Sequence, residues 1–377
     1  MGDIFLPGPL GAPEIVAALS AGAKAAAAPR AARLDGHSLR FDPDSLRFAV
    51  VPEAVGRVSG VLVPDGGRAG ARAAFVLEAM GGQAVAVDVG TAAGTAPARA
   101  FLSAAAAAPA RRWGEADWSA STARALAEAV PEILGQLGGA TPGVAADLLG
   151  GIAMRARARV RGAATDTPVA LRSGLAIGDV EPVSRGFGYA KFFAVEDLVL
   201  RHRRFDGRMS QPVGRAVFTS GDAVSVLPFD PVRGAVLLIE QFRAGAYARR
   251  DPHPWALETV AGRCDGMEPP EATARREARE EAGLELGRLE RIAGYYPTPA
   301  IAAEFITSFV GEADLGAAGG VHGLASEDED IRTLVVPLAQ AFAAVGSGEV
   351  NNAPLVISLL WLERHHARLA AEWGGAA

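Results

Sequence analysis

Glutamates crowd a short stretch of this sequence, among them Glu268, Glu277, Glu280 and Glu281. On a helix, Glu277 and Glu281 stand four residues apart and leave the same face, with Glu280 three residues beyond Glu277. Carboxylates packed this way repel one another unless a hard cation sits between them. Mg²⁺ takes oxygen ligands, keeps several waters and bridges carboxylates to substrate phosphates, with Mn²⁺ as the alternative. Taken alone, the same run also fits a charge-laced solvated helix.

The flanking residues separate the two readings. Pro269-Pro270 can open a helix where a missing N–H costs nothing, and Glu271 puts negative charge at the positive end of the dipole. Gly283 is the natural residue just past the end. Arg276 is placed to pair with Glu268 or Glu280 and brace the turn. The full pattern is Gly262, five residues, Glu268, seven residues, then Arg276-Glu277-Ala278-Arg279-Glu280-Glu281-Ala282-Gly283-Leu284. With each residue type near average abundance, a chance match is on the order of one in a million. A surface helix alone does not account for it. Residues 262–284 resemble the Nudix hydrolase signature at every specified position.

The resemblance runs beyond the motif. Segments 226–231, 238–243, 255–262, 320–331 and 349–354 look like the ADP-ribose pyrophosphatase branch of that superfamily, so the likeness covers about 186–373. It implies hydrolysis of ADP-ribose to AMP and ribose 5-phosphate by a domain-swapped homodimer. By position, the implied metal ligands are the backbone carbonyl of Ala261 and the carboxylates of Glu277, Glu281 and Glu329. Glu327 resembles the loop carboxylate that acts as general base, with Glu280 as the alternative. Arg215, Arg243 and Glu258 match positions that hold the substrate, and Glu304 matches a retained glutamate after the Tyr295-Tyr296-Pro297 turn. In that turn the family has glycine where this chain has Ala300, which restricts φ and puts the loop's shape in question.

Such a site needs a scaffold, and the second half of the chain supplies its elements. Strands are expected at 192–202, 215–219, 223–228, 235–240, 292–296, 305–312 and 331–336, with a hairpin connection at 230–234. Helices are expected at 338–345 and 353–372. Mixed strands with helices on both sides indicate an α/β (α+β) fold, here a Nudix α/β/α sandwich spanning 186–373. The first hundred residues read as short β segments between Gly/Pro turns, including 46–51, 60–63 and 84–89. The Ala-rich tract 104–110 reads as a linker. Helices at 119–137 and 141–161 then form a connector over 111–180, and Arg155, Arg157, Arg159 and Arg161 read as a solvated helix end.

Residues 4–10 weakly resemble the opening strand and loop of the γ-glutamylcyclotransferase-like fold, which precedes Nudix domains in tellurite-resistance-type families. That loop normally carries Tyr-Gly-Ser/Thr-Leu, whereas here it is Pro7-Gly8-Pro9-Leu10. Glu78 is the counterpart of that fold's acid/base. The missing hydroxyl implies that a domain over 1–110 is not catalytic.

A net charge of −6 argues against a nucleic-acid partner. Cys264 is the single cysteine, so no intrachain disulfide forms and a reducing, cytoplasmic setting is expected. It has no His partner nearby in sequence and is not read as a nucleophile. No apolar run is long enough to span a bilayer. None of the six histidines shows metal-ligand spacing, and each reads as an ordinary surface or helix residue. Of the aromatic residues, Tyr296 and Phe242 could stack on adenine, with core packing the expected role of Phe242. Two other functions stay open: a Nudix diphosphatase for another nucleoside-diphosphate sugar or NADH, and a binding or resistance protein whose Nudix half senses a ligand.

Overall fold

The computed structural model describes residues 2–21, 28–114, 119–135, 148–264, 266, 268–322 and 330–374. They fall into two units, Met1–Ser220 and Gly221–Ala377.

In the first unit, strands β1 (Asp3–Pro7), β2 (Arg30–Asp42), β3 (Arg47–Val63), β4 (Gln83–Thr91) and β5 (Gly94–Leu102) close a barrel in the order β1-β3-β2-β4-β5. The short β segments expected from the Gly/Pro spacing are in fact parts of long strands. Pro52 and Gly56 lie inside the 17-residue β3, not at turns. Gly56 is there because strand β2 approaches too closely for a side chain: a Cβ would stand 2.2 Å from the carbonyl oxygen of His37. One hydrophobic core takes in Ile4, Leu6, Phe48, Val50, Leu62 and their neighbours on these strands.

Helices Pro13–Ser20, Gly67–Ala79, Ala120–Gly135 and Leu149–Ala164 join that core through residues such as Ile15, Val76, Leu126, Val130, Ile152 and Ala153. The first two helices were not foreseen. The last one corrects the reading of its arginines as solvated, because Arg155 and Arg157 are buried. Arg155 donates through Nε to Glu132 at 2.9 Å, and Arg157 donates to the carbonyl of Asp44 at 2.7 Å. A buried guanidinium is tolerated when its donors are satisfied in this way. Start positions proposed for the second connector helix, Thr141 and Pro142, lie outside the described residues.

Strands β6 (Val180–Ala190), β7 (Ala194–His202) and β8 (Val213–Thr219) form a separate antiparallel sheet. Much of it faces outward, with Val183, Tyr189 and Phe218 exposed.

The second unit carries an eight-stranded mixed sheet. Its strands are β9 (Ala223–Asp230), β10 (Ala235–Phe242), β11 (Trp255–Glu258), β12 (Val260–Arg263), β13 (Leu289–Tyr295), β14 (Ile306–Glu312), β15 (Gly320–His322) and β16 (Ile331–Pro337). The order is β13-β14-β9-β10-β16-β15, with β11 paired to β10 and β12 to β9. The β9–β14 pair is parallel. Central β9 is apolar on both faces: Val224 and Val226 point to one core, Leu227 and Phe229 to the other. Helix Pro270–Ala282 covers the first face through Ala274, Ala278 and Ala282. Helices Leu338–Ser347 and Ala353–Trp373 cover the second through Ala341, Leu355, Leu359, Leu362 and Leu369. This is the expected α/β/α sandwich with a mixed sheet. Among the described residues no helix is long and apolar enough to cross a membrane.

Candidate active site

The acidic helix is fixed at both ends by local chemistry. Pro269 takes the cap position in extended conformation and Pro270 is the first helical residue. At the other end Gly283 has φ +64°, and Leu284 N–H donates to the carbonyl of Ala278 at 2.9 Å. The left-handed glycine lets the chain turn back on the last helical carbonyls and end the helix.

Between the caps, the stripe that faces the sheet is built from alanines, which lets the helix lie close over β12. Glu277 and Glu281 sit on this same stripe and are only 9 % and 4 % exposed. Two carboxylates are therefore pressed against the backbone of one strand. A Cβ on Gly262 would stand 1.9 Å from Glu277 Oε1, so the motif glycine is the space that the Glu277 carboxyl occupies. One residue earlier, Ala261 N–H donates to Glu281 Oε2 at 3.0 Å.

Arg276 ties the remaining acids together. Its guanidinium lies 2.8 Å from Glu277, 2.8 Å from Glu280 and 3.2 Å from Glu268. It also donates to the carbonyl of Arg263, and Thr273 Oγ1 donates to Glu268 at 2.8 Å. Burial opposes its charge, but Glu277, Glu268 and Glu280 outweigh that and hold its pKa above the ordinary value. The arginine is thus a fixed cation that braces the loop before the helix.

These donors fit a divalent cation. Buried oxygen ligands on one face, beside a strand backbone, are the donor chemistry that Mg²⁺ and Mn²⁺ prefer. Among the described residues no group of three His, Cys, Asp or Glu side chains is assembled for a metal. The other two acids of the predicted set, Glu327 and Glu329, lie outside the described residues.

Arg243 follows β10 and pairs with Glu258 of β11 through two bonds of 2.8 and 2.9 Å. This fork-to-fork pair holds both side chains in a defined orientation. Arg215 belongs to the other unit: it lies on β8 opposite Leu198 and donates to the carbonyl of Gly214 at 2.7 Å. Glu304 is half-buried just before β14. The Tyr295 phenol is pushed up by burial, against a bond from Ser308 that lowers it, and the charge of Glu304 adds to the rise. Ala300 does not adopt a positive φ, so the turn accommodates alanine without backbone strain.

Two features were misread or missed in the sequence. Phe242 is not a core residue: it is 45 % exposed and packs edge-on against Trp255, with Tyr247 nearby. His322 reads as ordinary, yet its ring lies against Gly283 at the end of the acidic helix, and its Nε2 is buried without a partner among the described residues. Its one sequence signal is its place just before the acidic segment 327–330. Cys264 is buried in the core under the helix, which fits the absence of a nucleophilic role.

Comparison with known proteins identifies the family. The family model for the NUDIX domain matches residues 219–356. An ADP-ribose pyrophosphatase of Escherichia coli (strain K12) is 46 % identical over 195 residues, 52 % of this chain and 93 % of that protein. Its counterpart in Haemophilus influenzae is 36 % identical over 197 residues, 52 % of this chain and 91 % of that protein. A GDP-mannose pyrophosphatase of Shigella flexneri is 31 % identical over 179 residues, 46 % of this chain and 90 % of that protein. An acidic helix seated on the strand its motif begins in, and relatives spanned almost end to end, place this chain in the Nudix hydrolase family.

Proposed function

We propose that this protein hydrolyses the pyrophosphate bond of ADP-ribose, giving AMP and ribose 5-phosphate. The observation that carries the reading is the pair of buried carboxylates, Glu277 and Glu281, held over Ala261 and Gly262 of β12. The 46 % identity to an ADP-ribose pyrophosphatase favours this substrate over the nucleotide sugar of the relative at 31 %.

Glu277, Glu281, Glu329 and the carbonyl of Ala261 are the proposed holders of Mg²⁺ or Mn²⁺. When bound, such a cation neutralises phosphate oxygens and acidifies a water for attack on phosphorus. The protein's own part is to orient and to move a proton. Glu327 takes the proton of the attacking water, with Glu280 as the alternative. Glu280 is engaged by Arg276, so its use as a base requires that ion pair to loosen. Arg243 and Glu258, already locked together, present a guanidinium and a carboxylate to the nucleotide, with Arg215 and Glu304 as further contacts.

The division into 1–110, 111–180 and 186–373 belongs to the same proposal, with the hydrolase in the last segment. So does a non-catalytic, cyclotransferase-like first domain, whose loop 7–10 buries Pro9 and Leu10 and offers no hydroxyl. The exposed apolar side chains of β6–β8 support a homodimer, because a three-stranded sheet needs a covered face to be stable. A reducing cytoplasm is the proposed setting.

The test is a panel of ADP-ribose, ADP-glucose, NADH and GDP-mannose with purified full-length protein and Mg²⁺, products being identified. ADP-ribose should rank among the fastest and give AMP. Slow ADP-ribose beside a rapid second substrate would move the assignment to that substrate. Binding without turnover of any of them would favour a ligand sensor.

A further inference from the structure

Gln241, near the end of β10, is a buried polar residue to which the proposed hydrolysis gives no role. It is 9 % exposed, and its Oε1 is buried without a hydrogen-bond partner among the described residues. An acceptor taken out of water and left unpaired is destabilising, so its presence calls for a compensating use.

The strand register shows what stands over it. Ile239 lies opposite Glu258 of β11, and Gln241 lies opposite Ala256. Arg243 is still extended, with φ −124° and ψ 114°, and its N–H donates to the carbonyl of Pro254 at 2.8 Å. Side chains alternate along a strand, so Ile239, Gln241 and Arg243 share one face. It is the face on which Ile239 joins the core beneath helix Pro270–Ala282. Phe242 takes the opposite face, against Trp255. To reach Glu258, the Arg243 side chain must run back along the strand, across the row that holds Gln241 and Ala256. It makes that reach and closes a fork, Nε to Oε1 at 2.8 Å and Nη2 to Oε2 at 2.9 Å. The Arg243–Glu258 bridge therefore roofs Gln241, and the unpaired amide oxygen is buried below it.

We propose that Gln241 is a positioning residue for Arg243, its amide oxygen being the acceptor that steadies the guanidinium when substrate draws it from Glu258. This rests on the reading of Arg243 and Glu258 as a nucleotide-holding pair. The fork commits both oxygens of Glu258 to Arg243. A substrate that accepts from the guanidinium, or donates to the carboxylate, competes with that fork. A guanidinium carries more N–H donors than the fork uses, so one can turn to Gln241 as the fork loosens. The acceptor is unpaired with the fork closed and satisfied with it open, which favours the arrangement in which Arg243 serves the substrate.

The test is ADP-ribose turnover by full-length variants, with KM and kcat measured separately beside a thermal melt. Gln241→Leu keeps the bulk and removes the acceptor, and should raise KM roughly fivefold with kcat little changed. The same variant should melt at or above the parent temperature, because an unpaired buried polar group is gone. Gln241→Glu, which keeps an oxygen at the same reach, should stay nearer the parent KM. In an Arg243→Ala background, Gln241→Leu should add almost nothing to KM. Gln241→Met takes the place of the leucine variant if that one does not fold. A parent-like KM without the amide overturns the proposal, as does a rise of equal size with and without Arg243. A variant that melts several degrees early shows the amide to be structural support and overturns it too. An unchanged KM in Arg243→Ala shows instead that the nucleotide-contact reading is wrong, and the positioning role falls with it.

Discussion

Helices Leu149–Ala164 and Pro270–Ala282 both carry many charged residues, and both turn some of them inward. In the first, Arg155 and Arg159 meet Glu132 and Glu196, carboxylates supplied by neighbouring elements. In the second, Glu277 and Glu281 face the backbone of β12, and Arg276 reaches Glu277, Glu280 and Glu268 from the same helix. The first set links guanidinium and carboxylate groups of opposite charge and serves as a fastener. The second gathers more carboxylate than one arginine balances, which suits a site completed by a cation. Buried charge is functional or structural according to what neutralises it.

Breaking each helix at its most buried charge should give opposite phenotypes. Glu277→Gln should lower kcat by roughly 10²–10³-fold, with a melting temperature close to that of the parent. A variant that melts early and retains its specific activity would show the acid to be structural. Glu132→Gln strands Arg155 in the interior and should cost about 3–5 kcal/mol in denaturant unfolding. If stability is unchanged, the network is not the fastener described.

A subtler change tests the packing under the acidic helix. Gly262→Ala puts a methyl 1.9 Å from Glu277 Oε1 and must displace the carboxyl. A fall in kcat of about tenfold to a hundredfold is expected, since displacement of a catalytic group by an ångström has effects of that size. Parent-like kcat would mean that the position of Glu277 is not critical.

The pH response separates the two networks with the smallest effect. Glu196 has a folded-state pKa lowered from 4.5, so its contribution to stability is present above pH 4.5 and is lost as pH falls below it. Acid unfolding of the parent should steepen below that value, and Glu196→Gln should remove that part of the slope. Identical slopes would contradict the pairing of Glu196 with Arg159 and Arg185.

The acidic helix was legible in the sequence because every constraint on it is local. Its caps, its i, i+4 carboxylates and the glycine below them lie within 262–284. Sheet strands with apolar runs, such as β9 and β10, were legible for the same reason. The arginines of Leu149–Ala164 were not, since their partners lie 23 and 37 positions away, at Glu132 and Glu196. Nor was the length of β3, because the close strand approach that calls for Gly56 is a tertiary fact. Phe242 was placed in the core by its residue type, but the cluster with Trp255 and Tyr247 that keeps it at the surface depends on the β10–β11 pairing.

The central claim is that the carboxylates of Pro270–Ala282 hold the metal on which hydrolysis depends. Its most direct test is ADP-ribose turnover by the full-length parent and Glu281→Gln across a Mg²⁺ titration, with folding checked by thermal melting. The parent should show saturable activation by Mg²⁺, and the folded variant should lose turnover or need far more Mg²⁺ to reach it. Matching activity at the same Mg²⁺ in a folded Glu281→Gln protein would contradict the account.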